Sequence, residues 1–355
     1  MMLPCLRHVE GIRLVGISSP NRERVAETAR IFGIERSAAD HREILEVARP
    51  DLVFVATPPH RHAEMAVDAL DAGCHVVCEK PMARDARESR RMLEAADRHP
   101  DLLSLIDHEL RFHPGRIALK ERIEIGGLGE VHNAAYHLHS FSRRDAGRPW
   151  SWWSDAAAGG GALGAIGSHA VDALVHLLGP VADVRGRLTT VHPFRPDPET
   201  GRPRPVTADD RVDAELRFSS GASARIHLSL VERERVHRIT VAGSMSTARL
   251  DEQGPLRIDP VRWEGERIDV DWGLPGAEEL GIPDTDWARS FLIQARKIVE
   301  ALRRGRPLVP RAATFADGHR TQRILDAIRR SSERAVGEAG EPGPIERNPT
   351  SGGPE

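Results

Sequence analysis

Along residues 12–107 the apolar positions come in short unbroken runs separated by amphipathic stretches. IRLVGI (12–17), LVFVA (52–56), HVVCE (75–79) and LLSLI (102–106) read as strands, because a run apolar throughout suits a strand covered on both faces. NRERVAETARIF (21–32), HREILEVARP (41–50), HAEMAVDALDAG (62–73) and ARESRRMLEAADRH (86–99) place apolar residues three or four apart and read as helices. Strand–helix alternation of this kind predicts an α/β unit with a parallel, doubly wound, Rossmann-type sheet. After residue 110 the rhythm changes. Helices are expected over 113–126 and 167–178, then strand follows strand between 181 and 270 with a hairpin around 219–221, then helices come over 287–304 and 316–331. Strands without intervening helices predict an α+β unit with a mainly antiparallel sheet. The division expected is therefore 1–110, 111–332 and a Gly- and Pro-rich tail, 333–355, low in apolar residues and expected to be disordered.

The first nine residues fit neither pattern. Met2, Leu3, Leu6 and Val9 recur as in the last turns of an amphipathic helix, closed by Gly11 ahead of the first strand. A chain opening in mid-helix is expected to have lost a segment upstream.

Charge narrows the partners. The 50 basic and 53 acidic residues nearly cancel, leaving a formal charge of -3, so no positive field is available for nucleic acid or an anionic membrane surface. The three cysteines, Cys5, Cys74 and Cys78, have neither disulfide-scaffold nor zinc spacing and are expected to be reduced thiols of a cytoplasmic protein. No apolar run reaches the length of a membrane span, and no metal site is expected: HELRFH has one residue too many for the H-E-x-x-H zinc helix.

Two stretches carry candidate chemistry. CEKPMA puts Glu79, Lys80 and Pro81 at the carboxyl end of a parallel strand, the edge where doubly wound sheets bind ligands. GGGALGAIGSHAVD sets His169 in the first turn of a helix, where the dipole disfavours its protonated form and suits it to act as a base. Asp172, three residues on, can share a helical face with His169 and orient its ring, or be an ordinary surface carboxylate.

In this order the motifs resemble the glucose-fructose oxidoreductase / inositol dehydrogenase / MocA family. The resemblance runs through VFVATPPHRHAEMAVDALDAGCHVVCEKPMA, HELRFHPGRIALKERIEIGGLGEV, PWSWWSDAAAGGGALGAIGSHAVD and PLVPRAATFADGHRTQRILDAIRRSS. It implies an NAD(P)-binding Rossmann domain joined to a domain with a large open sheet, through which homodimers or homotetramers assemble. It also implies reversible hydride transfer between nicotinamide and a carbinol carbon of a sugar, cyclitol or related polyol. By that similarity Lys80 contacts nicotinamide and substrate hydroxyl, and His169 takes the hydroxyl proton. Thr57, Pro58, Pro59 and His62 line the cofactor channel, Glu79 lies near the nicotinamide ribose, and Arg111, Trp150 and Trp153 wall the substrate pocket. Packing is the equal alternative for the tryptophans.

Three departures from the family pattern stand out. The aspartate usual four residues before the histidine is Ala165, which leaves open a non-catalytic member that binds a sugar-like ligand or a partner. The first strand ends at Ser18–Ser19, where NAD-preferring sites carry an acid for the ribose 2′-hydroxyl, and Arg22 can pair with a 2′-phosphate, so NADP is as well suited as NAD. Relatives also begin with a strand and a glycine turn. Without that strand the strands on either side of it are expected to stand nearly two spacings of about 4.8 Å apart.

Overall fold

The unbroken apolar runs do become parallel strands. Leu52–Val55, His75–Cys78 and Ser104–Ile106 lie side by side, in register Val55↔Cys78↔Ile106, so their carboxyl ends share one edge. The structure, a computed structural model, describes residues 2–260, 264–305 and 308–339. Helices His62–Asp71 and Ala86–Arg98 cover this sheet, with Leu70, Val76, Cys78, Met92 and Ile106 fully buried between the layers. The helices begin where a side chain can serve the free amides of the first turn. Asn21, Asp40, Asp85 and Thr285 each accept from an amide two or three residues on, a cap worth about 1 kcal/mol.

The first strand differs from its expected span. Only Gly16–Ser18 is a strand; it pairs in parallel with Arg36–Ala38, which sequence reading missed, and these two form a sheet of their own. Among the described residues no strand joins Gly16–Ser18 to Leu52–Val55, the separation expected of a sheet lacking the strand between them. Ile12 and Leu14 leave the ladder and pack instead with Cys5, Leu6, Phe54, Phe291 and Leu292, so the apolar run is satisfied by a side-chain cluster. The opening helix is short, Met2–Leu6, with its end buried against the helix Asp286–Arg303.

The second unit is an eight-stranded sheet, ordered from Glu266–Ile268 through Leu256–Pro260, Ser246–Asp251, Val236–Gly243, Val131–His139, Ser223–Ser229 and Arg211–Phe218 to Val181–Thr189. It is antiparallel except at its centre, where Val131–His139 and Ser223–Ser229 run parallel. The hairpin turn at residues 219–221 is as expected, with Gly221 at φ 93°, a value glycine adopts without strain. One face of the sheet packs under the helices Ser168–Leu178 and Phe315–Ala339, burying Tyr136, Leu216, Leu228, Val241, Leu174 and Leu325. Ala156–Leu178 is long and apolar enough to cross a membrane, contrary to the sequence-based count, but most of it is buried inside this core.

The two units are not contiguous in sequence. Ala313–Thr314 adds an antiparallel edge to the first sheet beside Leu105 and Ile106, and Asp286–Arg303 packs beneath Phe54. The last helix is longer than expected, reaching Ala339, so residues 333–339 of the expected tail are helical; residues 340–355 lie outside the described residues.

Candidate active site

At the shared carboxyl edge of the parallel strands, the chain leaves Leu52–Val55 through Thr57, Pro58 and Pro59, and leaves His75–Cys78 through Glu79, Lys80 and Pro81, with a cis Lys80–Pro81 peptide. His62 ties these two exits together. Its ring is 0% exposed, with Nε2 2.7 Å from the Thr57 carbonyl and Nδ1 3.0 Å from the Pro81 carbonyl. A neutral ring donates to one carbonyl only, and burial holds its pKa below the usual range. His62 therefore braces the wall of the expected cofactor channel from inside rather than lining it.

The glycine-rich stretch docks on this edge. A Cβ on Gly159, at φ 85°, would sit 2.7 Å from Pro59 Cβ, and one on Gly164 would sit 3.6 Å from Pro81 Cγ. Asp209 holds the stretch from below: its carboxylate accepts from the Leu163 amide at 2.8 Å, and its carbonyl accepts from Ala162. Burial pushes the Asp209 carboxyl up to about 6. The stretch then brings the Ala165 carbonyl to the Lys80 ammonium, which donates to it at 3.0 Å. Four residues later His169 is 2% exposed, and its Nε2 has no partner among the described residues. Burial, and next the Lys80 ammonium, hold the His169 pKa well below the usual imidazole range, so the ring is neutral. The Lys80 ammonium, held by Ala165, thus lies close enough to the His169 ring to act on its charge.

Asp172 behaves otherwise. Its carboxylate is buried and accepts from Arg111 Nε at 2.9 Å and Nη2 at 2.6 Å, so it is committed to Arg111 rather than to the His169 ring. Burial alone would raise its pKa, but His108 and Arg111 hold it below the usual value. Arg111, expected on the pocket wall, is 8% exposed and lies between Asp172 and Asp317. Trp150 donates its indole N–H to the Pro205 carbonyl beneath the Arg204 guanidinium, and Trp153 lies under Arg143 at 4.0 Å against the core of the large sheet. Both tryptophans do packing work, the alternative left open by the sequence. Ser19 is half-buried at the end of Gly16–Ser18, and Arg22 is exposed in the first turn of the next helix.

Several residues of the centre escaped sequence reading. Asp107 and Glu109 follow the strand Ser104–Ile106 and are buried; both Asp107 carboxylate oxygens and Glu109 Oε2 lack a partner among the described residues. Burial, followed by Glu79, pushes the Glu109 carboxyl up to about 8, and burial raises Asp107 well above its usual value. His108, between them, has its ring 5.3 Å from that of His169, and burial lowers it to about 4. Trp287, from the helix Asp286–Arg303, sets its ring edge-on to His169 at 4.5 Å and stacks on His237 at 5.7 Å. The His237 Nε2 is 2.8 Å from the Tyr136 hydroxyl and 3.1 Å from Arg116. The run DHELRFH was open to the strand-edge rule that singled out Lys80; Tyr136, His237 and Trp287 come from distant elements and carry no local signal.

Residues 1–106 match the profile described as the oxidoreductase family, NAD-binding Rossmann fold, and residues 117–249 match the GFO/IDH/MocA C-terminal domain. Levoglucosan dehydrogenase of Pseudarthrobacter phenanthrenivorans is 30% identical over 353 residues, covering 90% of this chain and 87% of the relative. The chain belongs to the glucose-fructose oxidoreductase / inositol dehydrogenase / MocA family. Its first unit is thus an NAD-binding Rossmann domain and its second the C-terminal sheet domain of that family. Human glucose-fructose oxidoreductase domain-containing protein 2 is 29% identical over 357 residues, covering 96% and 90% of the two chains. Among solved structures, levoglucosan dehydrogenase in complex with NADH and levoglucosan superposes with a TM-score of 0.80 at 28% identity, covering 90% and 88%. An oxidoreductase domain protein from Kribbella flavida gives 0.81 at 29%, covering 91% and 89%.

For the cofactor the fit is uneven. Thr57, Pro58, Glu79 and Lys80 are half-buried at the strand edge suited to the nicotinamide end, and His169 beyond them keeps an unpartnered Nε2. Among the described residues no glycine turn joins a strand to a helix between Gly16–Ser18 and Leu52–Val55, where a pyrophosphate would take backbone amides.

Proposed function

We propose that the protein is an NAD(P)-dependent dehydrogenase that moves a hydride between nicotinamide and a carbinol carbon of a sugar, cyclitol or related polyol. The convergence of Lys80 and His169 carries this reading: an ammonium fixed by the Ala165 carbonyl at 3.0 Å beside a buried, neutral imidazole with a free nitrogen. Such a pair binds a hydroxyl at its oxygen and leaves the adjacent C–H to a neighbouring acceptor. The bound nicotinamide supplies that acceptor; Glu79, Lys80 and the Thr57–Pro59 turn are the residues that would hold its reactive end. Relatives named for levoglucosan oxidation support a sugar-like substrate, with anhydro-sugars first in a panel. The absence of an acid at Ser18–Ser19 and the exposed Arg22 favour NADP at least as much as NAD.

We place the enzyme in the cytoplasm, as a homodimer or homotetramer formed through the outer face of the eight-stranded sheet. That face presents His137, His139, His227 and Asp213, all half-buried and in contact with one another. A second reading, a non-catalytic member binding a sugar-like ligand, draws on Ala165 and on the divided parallel sheet.

Absorbance of reduced nicotinamide across a panel of sugars and polyols tests the first reading. Turnover with at least one polyol is expected, and Lys80→Ala should abolish it; full activity in that variant refutes the assignment. Ligand binding without turnover by any panel member favours the second reading.

A further inference from the structure

We propose that Glu109 is the group that takes up the hydroxyl proton, filling through Lys80 the role left open by Ala165. The inference rests on the dehydrogenase reading above. Geometry places Glu109 for this. His75–Cys78 and Ser104–Ile106 are adjacent parallel strands with Cys78 opposite Ile106, and the Asp107 amide donates to the Cys78 carbonyl at 2.8 Å. The segments Glu79–Lys80 and Asp107–Glu109 therefore leave the sheet side by side at the same edge. Glu109 is 2% exposed, and its Oε2 has no partner among the described residues. A buried carboxyl left unpartnered costs free energy and survives where something outside the resting structure uses it.

The charged and titratable groups facing Glu109 come from four elements. They are Glu79 and Lys80 from one strand end, Asp107 from its own, Arg116 from the helix Pro114–Glu124 and Tyr136 from the large sheet. Lys80 commits one N–H to Ala165, leaving the others for the substrate and for a water that bridges to the carboxylate.

The step balances as follows. In the dehydrogenase reading, bound nicotinamide would accept the hydride from the substrate C–H bond as carbinol becomes carbonyl and the cofactor is reduced. The substrate O–H bond breaks as its proton forms a new N–H bond on Lys80, while an existing N–H proton of Lys80 passes to the Glu109 carboxylate through one bridging water, since the two groups are not in hydrogen-bond contact in the resting structure. Lysine ends as it began, and Glu109 ends protonated. His169, neutral and poorly basic because of its burial, orients the hydroxyl.

Glu109→Gln in the full chain tests this. For the wild type, kcat for oxidation should rise with pH through about 8, as the acid ionises. In the variant that limb should disappear and kcat should fall about 100-fold, with KM changed far less. Infrared difference spectra of wild type against variant, from about pH 6 to about pH 10, add a readout independent of turnover. They should show a protonated carboxyl band at the acid end that vanishes near the same pH. An unmoved pH limb in the variant, or no protonated band near neutral pH, overturns the role of Glu109 alone. A wild type that reduces neither nicotinamide with any polyol overturns the dehydrogenase reading first.

Discussion

Asp172 follows His169 by three residues, yet its carboxylate turns to Arg111, because a guanidinium offers two parallel N–H groups where an imidazole offers one. Spacing along a helix told which residues share a face but not which partner across the interface holds them. Removing the Asp172 charge leaves buried Arg111 with only Asp317 at 3.4 Å, so Asp172→Asn should lose about 3 kcal/mol of unfolding free energy. Urea denaturation checks this; a loss below about 1 kcal/mol would mean the pair is dispensable. Cys78 illustrates the same dependence on surroundings: burial raises its thiol pKa well above the ordinary value, so it should resist alkylation in the folded protein. Mass spectrometry after iodoacetamide treatment reads that directly.

Among the elements, the glycine-rich stretch positions the centre, and one glycine in it has no room to change. A Cβ on Gly160 would overlap the carbonyl oxygens of Trp152 and Trp153, which are backbone and cannot swing aside. Gly160→Ala should cost about 1–3 kcal/mol and displace Ala165 from Lys80. A lowered melting temperature together with a lowered kcat is the expected result. This level was also the most legible from sequence. The helices over 21–32, 62–73 and 86–99 and the strands over 52–56 and 75–79 followed from periodicity, since each buries its own apolar pattern locally. The elements missed were short, exposed or paired with remote partners. Arg36–Ala38 has one buried residue in three, Val131–His139 lies parallel to a strand some ninety positions away, and Ala313–Thr314 is two residues long. Lys80 and His169 stood out by chemistry at a strand end and a helix start. Trp287 and His237 entered the centre only through tertiary packing.

For the whole molecule, acid and base pull on stability in opposite directions. Buried His108 and half-buried His176 are lowered to about 4 and His237 to about 3, while buried His62 and His169 are also lowered. A ring held neutral in the fold takes up a proton more readily once unfolded, so stability is lost as pH falls from about 6.5 toward 4. Glu109, raised to about 8, binds its proton more tightly when folded, so its ionisation removes stability as pH rises from about 4.5 to 8. The histidines outnumber the raised carboxyls. Melting temperature should therefore fall steeply below about pH 6.5, and Glu109→Gln should flatten the shallower alkaline decline. A melting temperature independent of pH between about 4 and 6.5 would contradict the neutral burial of these rings. The return of Ala313–Thr314 and Asp286–Arg303 to the first sheet acts at this scale too. A fragment spanning residues 1–110 lacks that edge and the cover over Phe54, so it should show no cooperative melting by circular dichroism. In a cell the same connection sets a schedule: the amino-terminal part of the first unit leaves the ribosome some 200 codons before its last pieces, roughly 10–40 s at ordinary elongation rates. Throughout that wait its bare sheet edge is open to chaperones and to mispairing.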